Sequence, residues 1–173
     1  VNDAGHFRRR GVGIQKGKDI IHIAPPAENV PSLIHQLFKY ISVNKDHALI
    51  QSCVLHYELE FIHPFSDGNG RMGRFWQTLK LCELSSLFEN LPIESLIKQR
   101  QEDYYRVLSQ CDKEGQSSLF IEFILEIILE SLKEYESNNS PQALDCEDRL
   151  AKASETFPEK TFARKDYLEL FPN

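Results

Sequence analysis

The sequence predicts an all-α domain that carries one small β-hairpin, and three observations lead to this class. Two short β-branched runs flank a glycine-containing turn within residues 11–24, which is the pattern of a hairpin. Beyond the hairpin, apolar residues recur at intervals of three and four, which is the spacing of one helix face. Pro31, Pro64 and Pro92 lie where such helices would start or stop.

The elements are predicted in chain order as one hairpin and five helices. The hairpin covers about residues 12–23. In the first helix Pro31 lies near the first turn, where a missing N–H costs nothing, and an apolar face runs from Leu33 to Ile41. The later helices are expected at about 46–61, from Asn69 through Leu84, at 94–111 and at 116–136.

Length and composition allow one main core. The chain has 173 residues, 41% of them hydrophobic, and a formal net charge of −6, which disfavours a general attraction to nucleic acid or anionic membranes. Residues 1–136 are predicted to form the main domain, residues 137–142 a polar linker, and residues 143–173 a C-terminal helical extension. Because the sequence shows neither a membrane span nor a signal peptide, we expect no membrane partner and a cytoplasmic location. The chain begins with Val1 rather than Met, so we expect a fragment of a longer protein.

One segment, residues 63–74, predicts a phosphate-binding site. It reads His-Pro-Phe-Ser-Asp-Gly-Asn-Gly-Arg-Met-Gly-Arg. Gly68 and Gly70 allow close backbone approach just before a helix, and the unpaired N–H groups of a helix start attract anions. Arg71 and Arg74 lie three residues apart, and their guanidinium groups can bind further phosphate oxygens in a bidentate manner.

The other polar side chains of this segment indicate group transfer. Asn69 can donate to a phosphate oxygen without adding charge. Asp67 would repel a polyphosphate unless a cation lay between them, so we expect Mg²⁺, or Mn²⁺ in its place, held by this carboxylate and phosphate oxygens. His63 can take a proton from an attacking hydroxyl. Phosphoryl-type transfer needs an anion-binding site, a metal ion and a base. Phe65 is expected to anchor the loop to the core.

These residues resemble the motif of the Fic family, His-x-Phe-x-Asp/Glu-Gly-Asn-Gly-Arg-x-x-Arg, at every specified position, and the resemblance covers roughly residues 7–132. It implies a bacterial Fic-type helical domain whose hairpin is a flap. It also implies a protein adenylyltransferase that moves AMP from ATP to a Ser, Thr or Tyr hydroxyl of a target protein or of itself. The roles it implies are general base for His63, Mg²⁺ ligand for Asp67, and binding of the ATP phosphates for Gly68, Asn69, Gly70, Arg71 and Arg74.

The resemblance carries finer implications as well. The Doc-type relatives, which are kinases, have Lys at the position of Gly70, so glycine favours AMP transfer. Residues at matching positions line the adenosine pocket of the family, and the flap orders the target chain by edge-strand pairing. The residues concerned are Tyr104, Leu108 and Asp112 for the adenosine pocket and Ile20, Ile21 and His22 for the flap.

Other functions stay open at this stage. Family members that transfer phosphocholine share much of the motif, so another donor than ATP is an alternative. The domain could also act as a binding module in transcription or in a toxin–antitoxin pair, or as a hydrolase that removes AMP. Near the C-terminal end, the segment Glu159–Phe171 resembles the start of the winged helix that follows many bacterial Fic domains. A plain helical extension is an equally good interpretation of this segment. DNA is expected as a partner only if a full winged helix follows.

Regulation is also suggested by the resemblance. Many family members are held inactive by a helix with the pattern Ser/Thr-x-x-x-Glu-Gly/Asn, whose Glu pairs with the second arginine of the motif, here Arg74. Residues 85–90 match this pattern, but they follow the motif helix, where the family does not place the inhibitor, so we interpret the match as coincidence. We expect the inhibitory helix before Val1 or on a partner protein.

Two smaller patterns have structural interpretations. The run Arg8-Arg9-Arg10 is typical of a solvated surface. His56 and Glu60 lie four residues apart on one helix and could suggest a metal pair, but no third ligand has suitable spacing, so a contact on the helix face is favoured.

Overall fold

A computed structural model of the chain describes residues 5–16, 19–139 and 155. Two antiparallel strands are followed by six helices in the described part, with short 3-10 turns at Ala27–Asn29 and Ser86–Asn90. The predicted class, all-α with one small hairpin, is confirmed. The elements are β1 (Gly13–Lys16), β2 (Asp19–Ile23), α1 (Val30–Val43), α2 (Ala48–Ile62), α3 (Asn69–Cys82), α4 (Ile93–Gln99), α5 (Gln101–Glu114) and α6 (Ser118–Asn139).

The helix α2 lies at the centre and is buried on opposite sides, because it belongs to two hydrophobic clusters. One cluster joins α2 to α1 through Val30, Leu37, Leu55 and Leu59, among others. The other joins α2 to α3, α4, α5 and α6. Its members include Cys53, Tyr57, Leu81, Leu96, Tyr104, Leu108, Phe120, Ile124 and Ile127. A helix in this position also buries its polar residues, and those of α2 reappear in the functional site.

The predicted helix 94–111 is two helices, which meet at Arg100. The backbone of Arg100 leaves the helical region (φ −99°, ψ 31°) and serves as the C-cap of α4 and the N-cap of α5. Its side chain explains the break, since the guanidinium reaches α6, where it pairs with Glu126 at 3.2 Å and stacks on Phe123 at 4.9 Å from the ring centre. This tertiary contact has no counterpart in the local apolar spacing.

At its C-terminal end α6 runs to Asn139, which is three residues into the predicted linker 137–142. The chain divides into two compact units, Val1–Tyr135 and Glu136–Asn173. Apart from Glu155, the predicted extension 143–173 and its resemblance to a winged helix lie outside the described residues, and the domain boundaries stay predictions. Within the described ranges, every helix is too short or too polar to cross a membrane.

Candidate active site

Two residues with left-handed backbone conformations shape the motif loop between α2 and α3. His63 ends α2 with φ 48° and is the one non-glycine residue with positive φ among those described. Gly68 precedes α3 with φ 85°, a conformation that favours glycine. The chain therefore turns twice in a few residues, and the loop is held against the ends of both helices. The left-handed backbone conformation of His63 is unfavourable, so the surrounding contacts must stabilise it.

The side chain of Asn69 closes this loop. Its Oδ1 accepts from the N–H of Phe65 at 2.8 Å, and its Nδ2 donates to the carbonyl of Phe65 at 2.8 Å. The residue is buried, whereas the ring of Phe65 is half-buried and lies 5.9 Å from that of Phe7. In this structure the amide of Asn69 holds the loop backbone, and the phosphate contact predicted for it stays a prediction.

The first turn of α3 presents the groups expected to bind an anion. The N–H groups of Asn69, Gly70 and Arg71 open the helix and have no acceptor within it. Arg71 is exposed, and its guanidinium lies 3.7 Å from the Asp67 carboxylate. Arg74 is more sheltered, and its Nε donates to Glu94 of α4 at 3.1 Å. A bound phosphate would compete with both of these surface ion pairs.

The imidazole of His63 has one nitrogen committed and one available. Its Nδ1 donates to the carbonyl of Glu60 at 3.3 Å, which leaves Nε2 as the nitrogen with the lone pair. Burial lowers the pKa of His63 from 6.5, and the neighbouring His22 and Arg8 act in the same direction. The ring is therefore neutral at pH 7, which is the form that a general base needs.

Arg8 holds the backbone on which His63 lies, and this corrects the expected solvated surface for Arg8, whereas Arg9 and Arg10 are exposed as expected. Arg8 is only 3% exposed. Its Nε donates to the carbonyl of His63 at 2.7 Å and its Nη2 to that of Ile62 at 3.2 Å. Further bonds reach the carbonyls of Pro25 and Arg10. A cation at the C-terminal end of α2 satisfies carbonyls that the helix leaves without donors. No pattern in the sequence separates Arg8 from its neighbours.

Asp67 is the residue that would hold a metal ion. Its carboxylate is 74% exposed, and one oxygen accepts the N–H of Gly68 at 2.7 Å. Among the described residues no group of three or more His, Cys, Asp or Glu side chains could hold a metal ion alone. Mg²⁺ commonly takes one or two carboxylates together with substrate phosphates, so a single exposed carboxylate beside an anion site fits it.

A buried polar network lies beneath α3. His56 Nδ1 is 2.7 Å from Gln77 Oε1, and His56 Nε2 is 3.2 Å from the hydroxyl of Tyr104 and 4.0 Å from Glu60 Oε1. Burial lowers the pKa of His56 to about 3 and raises that of Glu60 to about 7. The contact between His56 and Glu60 lies on one helix face, as interpreted from the sequence, but its partners on α3 and α5 were not foreseen.

Gly73, a position that the motif leaves unspecified, lets α3 approach this network. A Cβ there would lie 2.8 Å from Cδ2 of His56, which is closer than real contacts allow. Gly70 plays a similar part, since its Cβ would lie 3.2 Å from Glu60 Oε1. Two glycines three residues apart on one helix face are the sequence signal that could have predicted this close packing.

Among the cavities lined by residues that the structure describes, Tyr104 and Asp112, both predicted for the adenosine pocket, border different ones. Tyr104 and Leu108 are buried, and Tyr104 turns its hydroxyl toward His56. The ring of Tyr104 borders a cavity of about 210 Å³ that is also lined by Arg74 and Glu94. Asp112 borders a separate cavity of about 220 Å³, with Tyr57, Glu58, Phe61, Cys111, Gly115, Gln116 and Ser117. The division arises because Tyr104 and Asp112 are eight positions apart on α5 and reach different neighbours.

The hairpin residue His22, predicted for the flap, faces inward toward α2 and α5. It is buried, and its ring lies 2.7 Å from the carbonyl of Phe61 and 3.0 Å from Oδ1 of Asp112. Ile20 is exposed, as an edge available to a target requires, and the side chain of Ile21 lies outside the described part. Strict strand alternation would place Ile20 and His22 on the same face. A bulge at this point of the hairpin interrupts the alternation, so that Ile20 can lie exposed while His22 is buried.

Comparison with known proteins points to one family. A family profile described as Fic/DOC family matches residues 1–81. A probable protein adenylyltransferase of Aquifex aeolicus is 30% identical over 131 residues, which cover 64% of this chain and 41% of that protein. The protein adenylyltransferase Fic of Culex quinquefasciatus is 29% identical over 136 residues, covering 77% of this chain and 25% of that protein.

A solved structure supports the same relationship. The crystal structure of a Fic family protein from Desulfovibrio desulfuricans G20 matches with a TM-score of 0.77 and 40% identity, over 98% of this chain and 51% of that chain. The present chain thus spans about half the length of that protein and less than half of the two adenylyltransferases. With the matched motif, the helical fold and the hairpin, these similarities show that the chain belongs to the Fic/DOC family.

Proposed function

We propose that this chain carries the active site of a protein adenylyltransferase, which moves AMP from ATP to a Ser, Thr or Tyr hydroxyl of a target protein or of the chain itself. The observation that carries the proposal is the joint position of His63 and the start of α3. A neutral imidazole with Nε2 available lies at one end of a short loop, and an anion-binding helix start lies at the other. The names of the relatives as adenylyltransferases support this choice among phosphoryl transfers.

The residues of the loop divide the chemical work. The target hydroxyl oxygen forms a bond to the α-phosphorus of ATP, and the bond from that phosphorus to the bridging oxygen of the β-phosphate breaks. Nε2 of His63 takes the hydroxyl proton. The amides of Asn69 and Gly70, with Arg71 and Arg74, would stabilise the charge on the departing pyrophosphate.

Asp67 would hold Mg²⁺, or Mn²⁺, against the phosphates. When bound, such an ion neutralises negative charge on the polyphosphate. The exposed carboxylate and its contact with Arg71 set the position of this ligand relative to the first turn of α3.

The hairpin and α5 would bind the other ends of the substrates. The exposed strand edge at Ile20 would pair with an extended target segment. The cavity beside Asp112 is the better candidate for adenosine, because it lies next to Phe61 and thus to the end of α2 that carries His63. The roles that the family resemblance implies stay predictions for three residues: target binding for Ile21, and the adenosine pocket for Leu108 and Tyr104.

The wider partners stay proposals. The carboxylate that meets Arg74 here is Glu94, whereas Glu89 of the pattern at residues 85–90 lies exposed in a 3-10 turn. An inhibitory helix from another segment or protein, DNA binding by a following winged helix, and the cytoplasmic location therefore rest on the sequence predictions alone.

The test uses ATP labelled at either the α or the γ phosphate. The chain is incubated with Mg²⁺ and a cell lysate, and protein-bound label is measured beside a His63→Ala variant. We expect label from the α position only, and a loss of at least 100-fold in the variant. A His47→Ala variant is the matched control, since His47 caps the other end of α2.

Each alternative has its own result. Protein-bound label from the γ-phosphate would show that the reaction is that of a kinase and not AMP transfer. Transfer that persists in His63→Ala would remove His63 from the role of base. Preferred labelling from CTP, GTP or UTP in a parallel competition would change the donor but keep the reaction type.

A further inference from the structure

The strongest unexplained feature is the buried carboxyl of Glu60, beneath the first turn of α3. Glu60 is 4% exposed, and its Oε1 has no hydrogen-bond partner among the described residues. A buried carboxyl oxygen without a partner is destabilising, so it calls for a reason. Nothing in the proposed transfer step uses it directly.

The position of Glu60 links it to Arg74. Its Oε1 and the Nη1 of Arg74 each lie 3.2 Å from the point that a Cβ on Gly70 would occupy. The two atoms are therefore separated by no more than twice that distance, with only the glycine between them. At such a range a guanidinium in a sheltered site favours the ionised carboxylate.

Charged and titratable groups face Glu60 from three helices. From α2 it faces His56, from α3 Arg74, and from α5 the hydroxyl of Tyr104, which interacts with its carboxyl. The ring of Phe120 in α6 packs against His56 and Tyr104 and adds no charge. On the solvent side, Arg74 is paired with Glu94 of α4.

The hydroxyl of Tyr104 gives the network two arrangements. It carries one proton but has two acceptors nearby, Nε2 of the neutral His56 and the carboxyl of Glu60. The hydroxyl lies 3.2 Å from Nε2 of His56, and with Glu60 ionised it can donate to the carboxylate instead. With Glu60 protonated, the hydroxyl can accept from the acid and donate to His56. The network thus accommodates both charge states of Glu60 without moving a helix.

We propose that Glu60 is a positioning residue of the nucleotide site, acting through Arg74, and that its carboxyl takes up a proton from solvent when a nucleoside triphosphate binds. This inference rests on the proposed function, because Arg74 must be the phosphate ligand. Before binding, the guanidinium lies between the carboxylates of Glu94 and Glu60. The arriving polyphosphate takes over the guanidinium and adds negative charge, so the buried carboxylate loses its support and becomes the neutral acid.

The direction of the proton transfer follows from the balance of effects at Glu60. Burial raises the pKa of Glu60 to about 7, and the charge of Arg74 opposes that rise. Negative phosphates bound to Arg74 weaken this opposition, so the pKa rises further on binding. At pH 7 we expect uptake on the order of half a proton per bound nucleotide.

The experiment is isothermal titration calorimetry of MgATP into the full chain at pH 7, in buffers of different ionisation enthalpy. The His63→Ala background prevents turnover. The slope of the measured enthalpy against buffer ionisation enthalpy gives the protons taken up, and the protons of MgATP itself are common to all variants. Glu60→Gln removes the titrating group, and Glu94→Gln is the matched control, because it neutralises the exposed carboxylate on the same arginine.

We expect Glu60→Gln to bind MgATP with most of the uptake lost, and Glu94→Gln to keep it. Equal uptake in Glu60→Gln and its parent would overturn the inference while leaving the proposed function intact. A failure of every variant, including the parent, to bind MgATP would instead reject the nucleotide site, and this inference with it.

A second variant guards against a folding defect in Glu60→Gln. Tyr104→Phe removes the hydroxyl that supports the carboxylate, without changing charge. The pKa of Glu60 should then rise, so the pH of maximal uptake should move upward relative to the parent. An unchanged pH of maximal uptake would count against Glu60 as the group that takes up the proton.

Discussion

His22 of the hairpin and Asp112 of α5 are joined across 3.0 Å between Nδ1 and Oδ1, although they are 90 residues apart in the chain. The other ring nitrogen of His22 donates to the carbonyl of Phe61 at 2.7 Å. The hairpin is thus fixed at the same time to α5 and to the end of α2. This pair places the exposed edge at Ile20 relative to the motif loop.

Removal of Asp112 should therefore loosen the hairpin. In Asp112→Ala we expect amide hydrogens of β1 and β2 to exchange about five-fold faster, since the lost bond contributes about 1 kcal/mol. Hydrogen exchange followed by mass spectrometry measures this. Asp103→Ala on the exposed face of α5 is the control and should leave the hairpin unchanged. Equal exchange in both variants would mean that His22 and Asp112 do not hold the hairpin.

His63 allows catalysis and backbone strain to be separated. Both His63→Ala and His63→Gly should abolish transfer, because each removes the imidazole. His63→Gly should be about 1 kcal/mol more stable than His63→Ala to urea, because glycine adopts φ 48° without strain. Equal stabilities would show that the backbone relaxes once the ring is gone.

Arg8 should matter more than its position in an arginine run indicates. Arg8→Ala leaves the carbonyls of Ile62, His63, Pro25 and Arg10 without their donor, and we expect a loss of about 3 kcal/mol in the free energy of unfolding. Transfer should fall as well, since His63 loses its support. Urea denaturation of Arg8→Ala beside Arg9→Ala, which alters an exposed neighbour, checks this. A similar loss in both variants would contradict it.

The stability of the chain should depend on pH through Glu60. Its pKa is about 7 in the folded state against 4.5 unfolded, so between these values the unfolded chain releases a proton that the folded chain keeps. The free energy of unfolding of wild type should therefore fall by roughly 3 kcal/mol from this group as the pH rises through that window. That of Glu60→Gln should not show this fall.

The comparison of the two proteins isolates Glu60 from His56. The pKa of His56 is lowered from 6.5 to about 3, so its contribution is lost as the pH falls, in both proteins alike. Urea denaturation at pH 4 and pH 8 measures the free energy of unfolding of both proteins. Relative to wild type, Glu60→Gln should be more stable at pH 8 than at pH 4. A difference between the proteins that does not change with pH would exclude an ionising Glu60.

The close packing of α3 on α2 predicts a cost at Gly73. Gly73→Ala would place Cβ 2.8 Å from His56, and we expect a loss of about 1–3 kcal/mol in unfolding free energy, read from thermal denaturation. Gly11→Ala, with nothing within 4 Å of its Cβ, is the control. A Gly73→Ala protein as stable as that control would mean that the helices separate at little cost.

Sequence reasoning succeeded where neighbours in space are neighbours in the chain. The hairpin, the helices and the loop at residues 63–70 depend on turn residues, periodic spacing and helix starts, all of which are local. It missed the break between two helices at Arg100, which contacts α6, and the contact of His22 with Asp112 on a distant helix.

By itself, the sequence determined the family, the fold class and the order of groups in the motif, because the loop is short and its spacing fixes which groups lie side by side. Only the tertiary structure decided that Arg8 supports His63 and that Tyr104 and Asp112 border different cavities. The tertiary structure alone also placed a buried Glu60 beneath Arg74. These relationships depend on how closely α3 and α5 pack on α2, and that distance is set by side-chain volumes on three helices at once.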